Sequence, residues 1–587
     1  MDTFAASAHD PYDARPWIKS YPQGVPADIL ETDYSTLVDI FNKSIVDFAE
    51  LPAFESMGAR QSYANFGRAA KNIAAWLQQQ GLNKGDRIGI MSPNVLAYPS
   101  ILFGALISGA VVVNINPLYT PDELVHQAND AEIKYLFVFE NFAHTAQAAW
   151  RRMNISRAII IRAGDLMGAR GIVVNFISRF IKRGAPRYHL NDSLSLAQVI
   201  HQGTLTPLSP VEIDRDDIAF LQYTGGTTGV AKGAVLLHRN VAANVAQSWA
   251  WLRSRLEHTG PHKMVTALPL YHIFGLTACC LLLVHIGGCC LLIANPRDLK
   301  SFSTTLRKAR FTLFSGVNTL YAALADYPEI NKVDFTNLLF SVSGGMATQK
   351  IVAHKWKTLT GCSIIEGYGL SETSPILTTN RLDIKEFTGA IGYPQPSTYL
   401  SIRTPTGDAA PIGEPGELVA KGPQVMPGYW RRADETHKVM TEDGYFRTGD
   451  IAIMAPDGLF RIVDRLKDMI LVSGFNVYPN EVEEVLSQHP KVREVAVIGV
   501  PYEHSGEAPI AFIVARDASL TIAELSIFAH AHLTAYKIPR HYQFREALPK
   551  SNVGKILRRE LKEEFLACKV SLPAPEQETS LNIDVTI

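Results

Sequence analysis

The stretch Leu102 to Pro117, LFGALISGAVVVNINP, returns as Leu281 to Pro296, LLLVHIGGCCLLIANP, with the same apolar pattern, glycine position and Asn-Pro end. Each copy reads as helix, glycine break, buried strand and loop, since a strand covered on both faces needs a near-continuous apolar run. Two similar α/β layers side by side are predicted, with chance likeness between apolar runs as the competing explanation. The alternation continues elsewhere. Phe66, Ala69, Ile73, Trp76 and Leu77 sit at helical spacing, Gly81 ends that pattern, and Arg87 to Met91 reads as a strand. Such alternation implies parallel sheets, whose ligands gather in crevices beyond the carboxyl ends of the strands.

A chain of 587 residues exceeds what one core organises, so two or more domains are expected. Its net charge of -1 and scattered basic residues give no electrostatic footprint for nucleic acid. None of the six cysteines forms a Cys-x-x-Cys, which suits a reduced compartment. The first residues, MDTFAASAHDPYDARPW, lack the apolar core of a targeting peptide, so cytoplasm is expected. Ile273 to Ile293 tests that placement, being about long enough to span a bilayer with only His285 strongly polar. A membrane transporter or scaffold is the rival class it suggests. Gly287-Gly288 divides the run, however, which reads better as buried helix, turn and buried strand.

Near Asp464 the character changes to a small α+β unit: Asn480 and Glu483 suggest a capped helix, Val495 to Val500 a strand, and Thr521 and Glu524 a second capped helix. Asp464 to Asp468, DRLKD, reads as an exposed connector, and Ser571 to Ile587 as a frayed tail. Domains of 1–464 and 465–570, with a tail of 571–587, are therefore expected, the second as a lid.

Tyr223 to Gly233, YTGGTTGVAKG, packs glycines, threonines and a lysine into one loop after the strand candidate Ile218 to Tyr223. Glycines let backbone N–H groups converge on an anion, while Thr224, Thr227, Thr228 and Lys232 add hydroxyls and charge around Gly225, Gly226 and Gly229. That is a phosphate grip. It is not the common P-loop, because no Ser or Thr follows Lys232-Gly233. A flexible Gly/Thr turn is the plainer reading of the loop alone.

Four further groups follow: Tyr271-His272, Ser343-Gly344-Gly345, Glu366 to Thr373 (EGYGLSET) and Tyr445 to Asp450 (YFRTGD); Pro549 to Lys555, PKSNVGK, lies near the end. In this order the set resembles the adenylate-forming superfamily of acyl-CoA synthetases, firefly luciferase and peptide-synthetase adenylation domains, across nearly the whole chain. Within it the chain is most similar to bacterial long-chain fatty-acid CoA ligases, in the GGTTGVAKG loop, the LPLYHIF run and Asp468 to Glu481, DMILVSGFNVYPNE. Val174 to Leu190, VNFISRFIKRGAPRYHL, is similar too and carries no catalytic motif.

The resemblance implies a large N-terminal domain of two similar α/β subdomains plus a distorted β-barrel, then a small mobile α+β domain. It implies a fatty acid, ATP, Mg²⁺ and CoA as reactants or cofactors. A carboxylate would attack the α-phosphate of ATP, leave pyrophosphate and form an acyl-adenylate, which a thiol then opens.

By resemblance Thr224 and Glu372 hold Mg²⁺, an oxygen-only site. Gly344, Gly345, Glu366, Gly367 and Tyr368 look like the adenine wall, continued by Gly369 and Ser371. Asp450 and Arg465 resemble the ribose contacts, His272 the histidine beside the forming acyl phosphate, Lys555 the catalytic lysine and Lys467 the hinge. Each has a blander reading: plain turns for the glycines, a solvated acid for Glu372, a surface ion pair for Asp450, a core residue for His272. The family's usual aromatic is Tyr445 here, most often a tryptophan elsewhere, and Leu466 stands where many relatives carry a second lysine. Gly275 and Leu276 follow Phe274 where some synthetases have a tryptophan gate, so chain-length preference is not legible. Ligation of another carboxylic acid, or to a carrier-protein thiol, shares the same ATP motifs. The resemblance leaves room for a homodimer and for peripheral contact at the inner face of a membrane.

Overall fold

The computed structural model describes residues 10–31, 35–181, 186–224, 231–551 and 554–568. Two large sheets carry the first part of the chain. One has seven strands in the order β7-β6-β5-β3-β4-β8-β9: β3 is Arg87–Met91, β4 Val111–Ile115, β5 Ile133–Phe139, β6 Arg157–Ile161, β7 Leu194–Ser195, β8 Ile218–Thr224 and β9 Lys232–Leu237. The other has nine, in the order β16-β15-β14-β13-β12-β10-β11-β1-β2. Here β1 is Pro52–Ser56, β2 Ala59–Ser62, β10 Lys263–Thr266, β11 Cys289–Leu292, β12 Leu313–Gly316, β13 Phe340–Ser343, β14 Ile364–Gly369, β15 Ile376–Thr379 and β16 Tyr393–Pro394.

The predicted duplication is present and reaches further than the apolar run that signalled it. Position by position, β7-β6-β5-β3-β4-β8-β9 corresponds to β14-β13-β12-β10-β11-β1-β2, parallel at every pairing except the terminal hairpins β8-β9 and β1-β2. Each repeat is a hairpin, a long helix (Tyr63–Gln79 or His238–Leu256) and five parallel strands. The hairpins are exchanged: β1-β2, first in the chain, completes the second sheet, and β8-β9 completes the first. In both copies the helix before the central strand turns at a left-handed glycine, Gly109 at φ 80° and Gly287 at φ 73°, a conformation glycine adopts without steric cost. Strands β4 and β11 are buried along their whole length, as a doubly covered parallel strand must be.

Ile273 to Ile293 folds as expected for a protein interior, as helical turns Gly275–His285, the glycine pair and β11. Among the described residues no helix is long and apolar enough to cross a membrane. Cys279, Cys280, Cys289 and Cys290 are all free and buried there.

Strands β17 (Tyr399–Arg403), β18 (Gly416–Lys421), β19 (Phe446–Met454) and β20 (Phe460–Arg465) form a four-stranded sheet in chain order. The chain divides into two compact units. One runs up to Ser401 and adds Val419–Thr448 and Ala455–Phe460; the other holds Ile402–Leu418, Gly449–Met454 and the residues from Arg461 onward.

The second unit centres on β23 (Val492–Tyr502) and β24 (Gly506–Ala515), flanked by β21 (Ile470–Val472), β22 (Phe475–Val477) and β25 (His541–Phe544). Alternation along β23 sends Val495 and Val497 into one core with Val482, Leu486 and Leu525, and Ala496, Ile498 and Val500 into another with Leu561 and Phe565. The capping box at Thr521 and Glu524 forms as read. The one at Asn480 and Glu483 does not. Pro479 starts that helix two residues earlier than such a box would, and the Asp464 carboxylate accepts the Asn480 N–H at 2.8 Å instead. The connector is likewise only partly exposed, for Asp464 is fully buried at the end of β20. The tail at 571–587 lies outside the described residues.

Candidate active site

Four motifs of the first unit lie at or just beyond the carboxyl end of a strand. Thr224 ends β8, His272 lies in the loop after β10, Gly344 and Gly345 follow β13, and Glu366 to Gly369 are the last residues of β14. Thr224 pairs across the hairpin ladder with Lys232, so both stand at the base of the glycine-rich loop. Gly225, Gly226, Thr227, Thr228 and Gly229 lie outside the described residues.

Residues 428–430 add a short third strand along β9: Val235 N–H donates to Gly428 O at 3.0 Å and Trp430 N–H to Gly233 O at 2.8 Å. This places Tyr429 between two groups of the site. Its hydroxyl donates to Glu372 Oε1 at 2.8 Å, and Lys232 Nζ lies 5.6 Å from its ring centre. Burial, and then the Glu372 charge, push the Tyr429 phenol well up, so it remains a donor. Lys232 forms an ion pair with Glu435, and that hydrogen bond, with a second from Lys438, holds the Glu435 carboxyl at about 2. Glu372 is buried, and its carbonyl accepts Met426 N–H at 2.8 Å. Beneath the loop, Tyr223 donates to Asp130 at 2.6 Å, and Arg432 reaches the same carboxylate at 2.5 Å. Tyr429, Glu435 and Asp130 were not singled out from the sequence, since each meets its partner through folding and none belongs to a motif.

The His272 loop is held from below by a buried polar chain. Asn94 donates to the carbonyls of Thr266 and Leu268 and accepts from Leu270 N–H, while Gln222 donates to Tyr271 O at 3.1 Å. Tyr98 donates to Asn114 and Asn114 to Gln222, so the adjacent strands β4 and β8 of the seven-stranded sheet help to fix this loop. The backbone N–H of Phe274 points to His272 Nδ1 at 3.3 Å. Gly344 shows why that position takes glycine: a Cβ would lie 3.0 Å from both Gly367 O and the Phe274 ring. Gly345, Tyr368 and Ser371 share the same edge, Ser371 opening the short turn that carries Glu372.

Beside these loops is a small apolar cavity of about 40 Å³ lined by Trp251, Phe274, Cys279, Leu282, Val342 and Ile376, among others. Its wall includes residues two positions from His272 and from Gly344. Burial pushes the Cys279 thiol up to about 12, so this wall carries no charge.

In the second unit Asp450 is buried and bonded to Arg465 Nε at 2.8 Å, and Leu466 N–H closes on Gly449 O. Lys467 is exposed in the turn that follows. Lys555 sits in a tight turn: Ser551 N–H donates to its carbonyl at 2.7 Å and its own N–H to Ser551 Oγ at 3.1 Å, with Gly554 at φ 85°.

Residues 41–430 match the AMP-binding enzyme family, and 481–555 the AMP-binding enzyme C-terminal domain. The chain is 50% identical over 550 residues to a long-chain-fatty-acid–CoA ligase of Yersinia pestis, spanning 93% of this chain and 98% of that protein. It is 36% identical to the one of Bacillus subtilis (strain 168), across 94% and 98%. Among solved structures it is similar to ATP-bound MatB from Rhodopseudomonas palustris, 27% identical with a TM-score of 0.74, covering 90% of this chain and 99% of that one. An anthranilate CoA ligase in complex with anthranoyl-AMP shares the fold at 24% identity, with a TM-score of 0.81 over 92% of this chain and 100% of that one. The chain belongs to the AMP-binding enzymes and, within them, to the long-chain fatty-acid–CoA ligases.

Proposed function

We propose that this protein activates a long-chain fatty acid with ATP as an acyl-adenylate and transfers the acyl group to CoA, releasing AMP and pyrophosphate. The observation that carries the reading is an uncharged apolar cavity whose lining includes Phe274 and Val342, each two positions from a residue of the site, His272 and Gly344, in a chain whose relatives across 93% of its length are long-chain-fatty-acid–CoA ligases. A fatty tail needs apolar lining of this kind, and its carboxylate must end where a phosphate grip begins. Another acid, or a carrier-protein acceptor, is not favoured by those relatives.

The parts fit the chemistry. Thr224 and Lys232 at the base of the loop would hold the outer phosphates, and Gly344, Gly345 and Glu366 to Gly369 the adenine, with Ser371 beside them. Glu372 and Thr224 offer oxygen donors only, which suits Mg²⁺ bound largely through substrate phosphates; the ion would spread the charge that develops on them. His272 would face the forming acyl phosphate, and Asp450 with Arg465 the ribose hydroxyls. Lys555 would bring its ammonium to the carboxylate and α-phosphate during adenylation, then withdraw as residues 465–570 rotate about Lys467 and free the thiol's approach. We place the boundary of that domain at 464/465 and the enzyme in the cytoplasm, in peripheral contact with a membrane.

The test is a panel of carboxylic acids, aliphatic and aromatic, offered with CoA and with acyl carrier protein while AMP release and thioester are measured. Preference for long aliphatic acids with CoA is expected. Preference for an aromatic acid or for the carrier protein would overturn the assignment.

A further inference from the structure

The segment after β6 carries none of the motif residues of the site. Its helix Ala169–Phe176, continued by the wider turn Ile177–Ile181, holds an apolar stripe out to solvent: Ile172 is 75% exposed, Val173 57%, Phe176 57% and Ile177 37%. Ile172 with Phe176 and Val173 with Ile177 are spaced by four, so the four side chains share one face. The opposite face is anchored. Gly171 packs so closely that a Cβ would lie 2.0 Å from Gly164 O, and the Asn175 side chain accepts Gly164 N–H at 2.7 Å. Arg170 donates to Gly58 O at 2.8 Å. Packing therefore presents this stripe, although burying it would be favourable.

Charge says what covers it. Between Asp165 and Asp192 the sequence holds Arg170, Arg179, Lys182, Arg183 and Arg187 and no Asp or Glu, in a chain whose net charge is -1. Arg187 is exposed, and Arg179 forms an ion pair with Glu140 at 3.2 Å. An amphipathic helix with bulky apolar residues and flanking cations lies stably in the headgroup layer of an anionic bilayer. A second copy packed isologously on the same face would set these cations against their own images.

We propose that Ile172, Val173, Phe176 and Ile177, together with the cations Arg170, Arg179 and Arg187 of the same stretch of chain, dock this protein on an anionic lipid surface. The proposal rests on the reading of the chain as a fatty-acid ligase, whose substrate partitions into bilayers, and it names the surface that meets them.

The experiment is sedimentation of the full chain with vesicles of phosphatidylglycerol and phosphatidylcholine, and with vesicles of phosphatidylcholine alone. The parent chain is expected to bind the anionic vesicles preferentially and to lose that binding as salt rises. Ile172→Glu with Phe176→Glu, and separately Arg170→Gln with Arg187→Gln, should each weaken it by about tenfold or more. Acyl-CoA formation from a short acid dissolved in buffer should be unchanged in both variants, which checks that they fold. Equal vesicle binding by parent and variants would overturn the proposal. So would ultracentrifugation showing a dimer that the same substitutions dissociate. Failure of the parent chain to make acyl-CoA from any dissolved acid would sink the proposed function instead, while vesicle binding would still decide the docking surface.

Discussion

Tyr429 hydrogen-bonds Glu372 and lies beneath Lys232, so one ring joins an acid and a base of the proposed nucleotide grip. Tyr429→Phe keeps the ring and removes the hydroxyl, leaving a buried carboxylate one donor short. A hydrogen bond to a charged group is worth about 1.5–3 kcal/mol, so KM for Mg·ATP should rise roughly tenfold with little change in the melting temperature. An unchanged KM would exclude the positioning role. For Lys555→Ala we expect adenylation, followed by pyrophosphate exchange, to fall by ~100-fold or more, while thioester formation from supplied acyl-adenylate persists. Equal loss of both half-reactions would contradict the assignment. Glu372 and Lys555 stand out in the sequence as candidates because each comes with a local pattern. Tyr429 does not, because its partner is 57 positions away.

Asp464 is the penultimate residue of β20, and its fate illustrates what an element does to a side chain. Read within a charged run it should be solvated; instead it is buried, accepting the N–H groups of Arg465 at 2.7 Å and Asn480 at 2.8 Å. Burial raises its carboxyl from 3.8 to about 6, against the pull of Arg558 and these hydrogen bonds. The folded state then holds the proton more tightly than the unfolded chain. Its stabilising effect is complete below 3.8 and is lost as pH rises through about 6. Compared with Asp464→Asn, the parent chain should lose about 2 kcal/mol of unfolding free energy between pH 4 and 6.5, read from urea titrations at each pH. Parallel pH profiles would refute the assignment. Helix and strand existence was legible here from periodicity. The helix start at Pro479 was not, because its cap comes from a strand 16 residues back.

At the scale of the molecule, the proposed cycle needs residues from Arg465 onward to turn between half-reactions. Lys467→Pro fixes φ in the turn and constrains the residue before it. Thioester formation should fall by ~10-fold or more while adenylation in a pyrophosphate-exchange assay stays within about threefold. Loss of both steps together, or of neither, would discredit Lys467 as hinge. The duplication behind the first unit was legible through one apolar run, but the exchange of its hairpins was not. Strand pairing is decided by which edges meet in space, and nothing local in β1-β2 says that it completes the sheet of the other repeat.

Sequence alone determined the α/β class, the duplicated layers and the family, because periodicity, turn glycines and phosphate-binding loops are short-range patterns that survive being read in one dimension. Tertiary structure decided which acid is buried, which tyrosine braces the site, which hairpin closes which sheet and which apolar stripe is left facing water. Each of those depends on desolvation and contact between residues far apart in the chain, and burial is a property of the folded neighbourhood.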